Sequence, residues 1–292
     1  MLKNIYYLAE NILAMPAYWI FGLLPFNNAS SIGGFLARTF GSLLPRNELA
    51  RKNLRRAFPD LDEKQVEETI TGMWDNFGRS IAEFPHMNNM DKQAFAKIVE
   101  VEGVEYIEQA KQGGKGGLFI SAHIANWDMV AKTCAIYDCP LGVVYRRLNN
   151  SWLDKLVQDM RECYQTEGIQ KGKDGSRQLI KILRRAGHVG ILVDQKMNQG
   201  IAVDFFGRKA MTATTIATLA LKYKCPVIAI RVIRMEGVHF KVTIFPPMEI
   251  EKTGDRKVDV LNLMTRINKV VEDWIRDNPA QWIWVHNRWP DE

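Results

Sequence analysis

An α/β fold, with a central, mostly parallel sheet flanked by helices and an N-terminal membrane-associated helix, is what this sequence predicts. Two patterns carry the sheet. Short apolar runs at 116–121, 142–145, 189–194 and 227–233 read as buried strands, and stretches of helical periodicity at 126–137, 152–164, 175–185 and 212–223 separate them. Such alternation suits a sheet whose strands are joined by crossover helices. A third pattern carries the appended helix: Glu10 is the one charge between Ile5 and Phe26.

Taken in order, residues 1–45 form an apolar membrane anchor or a set of interfacial helices, and residues 46–292 form one large domain. The run from Ile5 is long enough to span a bilayer, although Glu10, Asn11 and Pro16 make it a poor span and an interfacial or re-entrant segment competes with it. The piece from Ile32 to Leu44 carries only Arg38 as a charge and can lie beside it. Arg46, Arg51, Lys52, Arg55 and Arg56 follow, with positions 51/55 and 52/56 four apart on one helix face. A solvated face is the bland reading of that stripe; beside an apolar anchor it reads as a grip on anionic headgroups that sets the domain on the cytoplasmic side. Gln65–Ala82 has helical spacing with Trp74, Phe77 and Ile81 on one side, and Val104–Gln112 is a short helix before a Gly-rich break. The alternating stretch His239–Phe245 is expected to be an edge strand.

The chain has 292 residues, 47% hydrophobic and 25% charged, enough for one large core. A net charge of +6 favours anionic partners. No helix-turn-helix, zinc-finger or RNA-recognition pattern occurs, so nucleic acid is not an expected partner. Cys134, Cys139, Cys163 and Cys225 make no CxxC and no ordered framework, which fits a reducing compartment.

The chemistry gathers where strands run out. His123 ends the first strand, and Asp128 follows in the first turn of the next helix. Five positions apart they cannot share a helix face, so they straddle its boundary, and the carboxylate can fold back to hold one ring nitrogen protonated while the other acts as a base. A half-buried histidine and a helix-starting acid are the bland alternatives. Arg146 and Arg147 end the second strand, Asp194 and Gln195 the third. Asp204-Phe205-Phe206-Gly207-Arg208 reads as a loop, with core phenylalanines and a turn glycine as its bland reading, and Thr212 is placed to cap the helix after it.

These residues resemble the lipid A late acyltransferases, the lauroyl/myristoyl branch of the lysophospholipid acyltransferase superfamily. The matching segments are His123-Ile-Ala-Asn-Trp-Asp128, Val144-Tyr145-Arg146, Asp194-Gln195, Phe205-Phe206-Gly207-Arg208 and Asn278-Pro-Ala-Gln-Trp-Ile-Trp-Val-His-Asn-Arg-Trp289, with Asn53-Leu54, Ala57-Phe58-Pro59 and Asn76-Phe77-Gly78-Arg79 upstream. The resemblance implies an acyltransferase catalytic domain over 46–292, with His123 as general base and Asp128 as its orienting partner. It implies substrate contacts from Asn126, Tyr145, Arg146, Arg147, Arg161, Asp194, Gln195, Phe206, Gly207 and Arg208. It further implies an acyl carrier protein thioester as donor, a phosphorylated glycolipid as acceptor, membrane lipids as surroundings, the cytoplasmic face of a bacterial inner membrane as location, and no metal or other cofactor. Lys196 stands where many relatives have an acid, and Arg147-Leu148 where some have Pro-Asn, which leaves the acceptor headgroup open. Trp282, Trp284, Trp289 and His286 are given structural roles, and His86, His188 and His239 no chemistry. Acylation of a lysophospholipid, a glycolipid mannoside or an aminolipid is a second enzymatic reading. A non-catalytic membrane-surface binding protein is a third, from another class.

Overall fold

The computed structural model describes residues 14–88, 90–162 and 166–289. The chain is helical over 14–23 (α1) and continues through α2 (Phe26–Gly41), α3 (Arg46–Ala57), α4 (Glu63–Met87) and α5 (Lys92–Ile98) to β1 (Val99–Glu102). Then come α6 (Val104–Gln112), β2 (Leu118–Ser121), α7 (Asp128–Ile136), β3 (Leu141–Tyr145), α8 (Ser151–Glu162) and β4 (Glu167–Gln170). The remainder is α9 (Lys173–Arg184), β5 (His188–Leu192), β6 (Ile201–Phe205), β7 (Arg208–Thr212), α10 (Thr215–Tyr223), β8 (Val227–Arg234), β9 (Phe240–Ile244), α11 (Arg256–Asp277) and a 3₁₀ turn at Pro279–Gln281.

Among the described residues the central sheet has seven strands in the order β1-β9-β8-β2-β5-β3-β4. Every neighbouring pair in it is parallel except β8 and β9. Leu118, Phe119 and Ile120 of β2 have no exposed surface, as expected for a strand sandwiched on both faces. β2 pairs with β5 on one side, Ile120 opposite Ile191 and Ser121 opposite Leu192, and with β8 on the other. Strand-end loops of β2 and β5 therefore emerge side by side.

Local chemistry accounts for the starts of two long helices. Asp62 accepts from the Gln65 N–H at 2.8 Å while the Gln65 side chain accepts from the Asp62 N–H at 2.9 Å, a reciprocal cap on α4. Asp255 caps α11 by accepting from the Lys257 N–H at 2.8 Å. A Cβ added at Gly78 would sit 2.2 Å from the Gly33 carbonyl oxygen, and one added at Gly41 would meet the Trp74 ring at 2.5 Å. Small residues thus bring α2 hard against α4.

Among the described residues no helix is long and apolar enough to cross a membrane, and residues 1–13 of the expected anchor lie outside the described residues. Three expectations need correction. β9 is not an edge strand but pairs with β8 and β1, since alternation reports which faces are buried and not which edges are free. The 204–208 loop is the tip of a hairpin: Asp204 and Phe205 end β6, Phe206 and Gly207 turn with φ of 55° and 68°, and Arg208 begins β7. Thr212 ends β7 instead of capping α10, its hydroxyl bonded to the Ala210 carbonyl at 3.0 Å.

Candidate active site

Parallel pairing of β2 with β5 sets His123 beside Asp194, the two residues standing two positions past their strands. The Asp194 carboxylate receives three donors. Its Oδ1 lies 2.9 Å from His123 Nδ1, and its Oδ2 accepts from the His123 backbone N–H at 3.0 Å and from the Trp282 indole N–H at 2.7 Å. The residue is only 2% exposed. Burial alone would raise its pKa, but the charge and hydrogen bonds of His123, with the Trp282 bond, outweigh it and hold the carboxyl well below the usual carboxylate range. An anionic acceptor fixed on Nδ1 keeps the proton there and leaves Nε2 as the basic nitrogen.

The orienting partner expected for His123 was Asp128, and the Nδ1 position is taken by Asp194 instead. Spacing along the chain cannot reveal this, because the bond crosses from one strand end to its neighbour. Asp128, the first residue of α7, is buried in the wall of the same cleft.

Gln195 sits opposite. Its Nε2 is 3.3 Å from His123 Nε2 and 3.2 Å from His286 Nε2, so one amide spans two imidazoles whose ring centres are 5.4 Å apart. Burial, helped by the neighbouring His123 charge, pushes the His286 pKa down to about 4. A neutral His286 suits an amide that donates to both rings. His286, expected to be structural, thus lies in the cleft; its position becomes legible only once Asn53 is seen to bind the carbonyls of Trp284 at 2.7 Å and His286 at 2.6 Å.

His123 opens onto a cleft of about 640 Å³ at the ends of β2, β3, β4 and β5. Its polar rim includes Arg46, Tyr145, Arg146, Arg147, Lys171 and Gln195, and its walls include Phe119, Val130, Ala131, Leu141 and Val143. Arg147 also reaches Asp154 of α8 at 3.4 Å. Lys171 went unnoticed in the sequence because β4, Glu-Gly-Ile-Gln, buries only Ile169 and carries almost no strand signal. Burial pushes the Lys171 pKa down. Arg161 falls on α8, and its side chain lies outside what the structure describes.

Four expected contacts stand elsewhere. Asn126 is 1% exposed and donates to Glu83 at 2.8 Å, because the turn after His123 rolls its side chain inward. Phe206 is core, packed on Phe58 and Trp284 with the Arg276 guanidinium 4.5 Å above its ring, and Gly207 forms the hairpin tip. Arg208 lines a separate hollow of about 490 Å³ with Glu48, Lys52, Arg55 and Arg56. Trp282, Trp284 and Trp289 are buried, as expected.

Among the described residues the cysteines offer no ready nucleophile. Burial holds the Cys134 thiol well above its ordinary range and pushes Cys139 up to about 12. Among the described residues no group of three or more His, Cys, Asp or Glu side chains is arranged to hold a metal ion.

An imidazole held by a buried carboxylate at the mouth of a cleft with apolar walls is equipment for general acid–base chemistry. The chain belongs to the bacterial lipid A biosynthesis acyltransferase family, whose model matches residues 2–291. It is 24% identical to a lipid A biosynthesis palmitoleoyltransferase of Escherichia coli (strain K12), over 94% of this chain and 92% of that protein. A lipid A biosynthesis acyltransferase of Haemophilus influenzae is 25% identical over 95% and 93% respectively. A lipid A biosynthesis lauroyltransferase of Escherichia coli (strain K12) is 24% identical over 94% and 90%. The protein is an acyl-transferring enzyme.

Proposed function

We propose that this enzyme moves a fatty acyl group from an acyl carrier protein thioester to a hydroxyl of a phosphorylated lipid A precursor, at the cytoplasmic face of a bacterial inner membrane. The observation that carries the reading is the Asp194–His123 Nδ1 bond at 2.9 Å above a cleft with apolar walls. His123 Nε2 exchanges its 3.3 Å contact with the Gln195 amide for the acceptor hydroxyl and takes its proton, and the hydroxyl oxygen attacks the thioester carbonyl. Asp194 stabilises the imidazolium so formed, as a buried carboxylate does for a histidine base. Lys171 and Arg146 at the rim stabilise the tetrahedral oxyanion. Collapse breaks the carbon–sulfur bond, and the departing thiolate recovers the proton from His123. The apolar walls hold the hydrocarbon chain, and Arg146, Arg147, Arg161 and Arg208 meet the phosphates of acceptor and carrier.

Charge and surface support the partners. Arg208, Lys52, Arg55 and Arg56 around one hollow suit an acidic carrier protein or a phosphate. Trp19 of α1 and Phe35 and Phe40 of α2 are exposed, as are Leu148 and Trp152 just after β3, and such side chains suit a lipid surface.

The test is acyl transfer to a tetra-acylated, sugar-bearing lipid A precursor by wild type and by His123→Ala, with carrier thioesters of several chain lengths. A loss of roughly a hundredfold or more in the variant is expected of a general base. Transfer by wild type to some other acceptor alone would move the substrate assignment, and equal rates in both proteins would remove His123 as the base.

A further inference from the structure

Behind the catalytic turn, away from the cleft, lies a buried ion pair that the reaction itself does not use. Glu83 of α4 is 0% exposed and Arg234, the last residue of β8, 8%. Arg234 Nη1 donates to Glu83 Oε1 at 2.5 Å and Nη2 to Oε2 at 3.0 Å. The other guanidinium bonds run from Nε to Asn76 Oδ1 at 3.0 Å, from Nη1 to the Gly237 carbonyl at 3.0 Å and from Nη2 to Ser80 Oγ at 3.3 Å. A guanidinium has five N–H donors, and these contacts engage them all. Glu83 accepts two further bonds, from Ser30 Oγ of α2 at 2.7 Å and from the Asn126 amide at 2.8 Å.

Three arms of this network, through Asn126, Ser80 and Asn76, end on the segment just after His123. The Ala125 carbonyl accepts from Ser80 Oγ at 3.2 Å and from Asn76 Nδ2 at 3.3 Å. The Ala125 N–H donates to the Gln281 carbonyl at 3.0 Å, and the Gln281 side chain in turn brackets the backbone of Arg234 with two 2.8 Å bonds. Ala125 is held at φ 50°, in the left-handed region where a non-glycine residue persists only if its surroundings over-determine it. Burying a charge pair costs desolvation that packed apolar side chains would avoid, and its best-attested use is to specify one arrangement out of several.

We propose that Glu83 and Arg234 are positioning residues for catalysis, acting through Asn126 and Ala125 to hold His123 on Asp194. The proposal rests on His123 being the base of the acyl transfer described above. The side chains of Glu83, Arg234 and Asn126 do not line the cleft, so none of them is called catalytic.

The experiment uses the full-length protein with the carrier thioester and the tetra-acylated precursor, and compares Asn126→Ala, Glu83→Gln, and Glu83→Gln combined with Asn126→Asp. Asn126→Ala is expected to lower kcat roughly 10- to 100-fold, the scale of a misplacement of about 1 Å, while KM for both substrates stays within about twofold. Glu83→Gln is expected to behave alike. Adding Asn126→Asp to it reverses donor and acceptor across the Glu83–Asn126 bond but leaves the new amide facing Arg234 Nη2, which bonds the same Glu83 oxygen, so part of the lost kcat and not all of it is expected back. A second readout does not depend on turnover: the proton NMR resonance of the His123 Nδ1–H bonded to Asp194, assigned by its absence in His123→Ala, is expected to shift or broaden in Asn126→Ala. A wild type that transfers no acyl group would sink the proposed function, and the resonance would still decide the positioning. An unchanged resonance, a kcat equal to wild type, or a loss confined to KM would overturn the proposal.

Discussion

Protonating His286 would set a cation into a mostly dry pocket beside His123, which is why its pKa falls to about 4 against about 6.5 in an unfolded chain. Between those values the unfolded chain binds a proton that the folded protein refuses. Stability therefore declines as pH drops from about 6.5 to about 4, by up to roughly 3 kcal/mol. Asp194 is opposite in kind: its folded pKa is depressed, so its contribution is complete above about 4 and is lost only below that. Thermal unfolding of wild type and His286→Asn at pH 7 and pH 5 is expected to give a drop in midpoint that is clearly smaller in the variant; equal drops would sink the assignment. For chemistry, Asp194→Asn should keep the shape of the site yet lower kcat by roughly a hundredfold or more, since an amide cannot stabilise the imidazolium. Single-turnover transfer would measure it. At this scale the sequence named His123, Asp194 and Gln195 correctly as strand-end residues but paired His123 with Asp128, where the structure sets Asp194 on its Nδ1. Sequence spacing shows neighbours along one element, whereas Asp194 is 71 positions away and arrives by strand pairing.

Helices α2 and α4 meet through Gly33, Gly41 and Gly78, and no side chain larger than hydrogen fits between their backbones at Gly78. Gly78→Val is expected to force them apart at a cost of about 1–3 kcal/mol, the range for overpacking. It would also pull Ser30 away from Glu83, to which it bonds at 2.7 Å. Denaturant unfolding is the measurement, and a midpoint within error of wild type would show that the pair tolerates separation. Strands that run apolar were readable: β2, β3, β5 and β8 all lie inside the expected runs or within a residue or two of them. Those that were missed are short or charged. β1 is Val-Glu-Val-Glu, β4 has one buried residue, and the β6–β7 hairpin hides its turn in Phe206-Gly207, where a non-glycine residue takes positive φ. None of these has enough apolar repeats to outweigh a loop reading.

Across the whole molecule, exposed large apolar side chains gather on α1 and α2, with Trp19, Leu23, Phe35 and Phe40 among them, while cations gather on the neighbouring α3. A lipid surface would use both, the first by insertion and the second by attraction to anionic headgroups. Flotation with vesicles containing anionic lipid is expected to recover the wild type, to fall several-fold for Phe35→Ser combined with Phe40→Ser, and to weaken as salt shortens the screening length from about 10 Å at 0.1 M to about 3 Å at 1 M. Recovery unaffected by either change would remove this face as the membrane contact. The anchor or interfacial helices expected over residues 1–45 were read from hydropathy, which measures how apolar a segment is and not how it packs; among the described residues α2 sets one flank on α4 and leaves the other outward.

Trp282 and His286 reach back to the turn at His123, Trp282 through a bridge to Ile124 and a bond to Asp194. A ribosome makes His123 roughly 160 residues before His286, which at ~5–20 residues per second is on the order of ten to thirty seconds. Throughout that interval α2 and α4 can already be joined while the imidazole lacks the indole that completes its carboxylate partner and the second ring across from Gln195. The chronology of synthesis alone thus leaves the turn at His123 without its full set of contacts until the scaffold beneath it exists, and a growing chain does not carry a finished site.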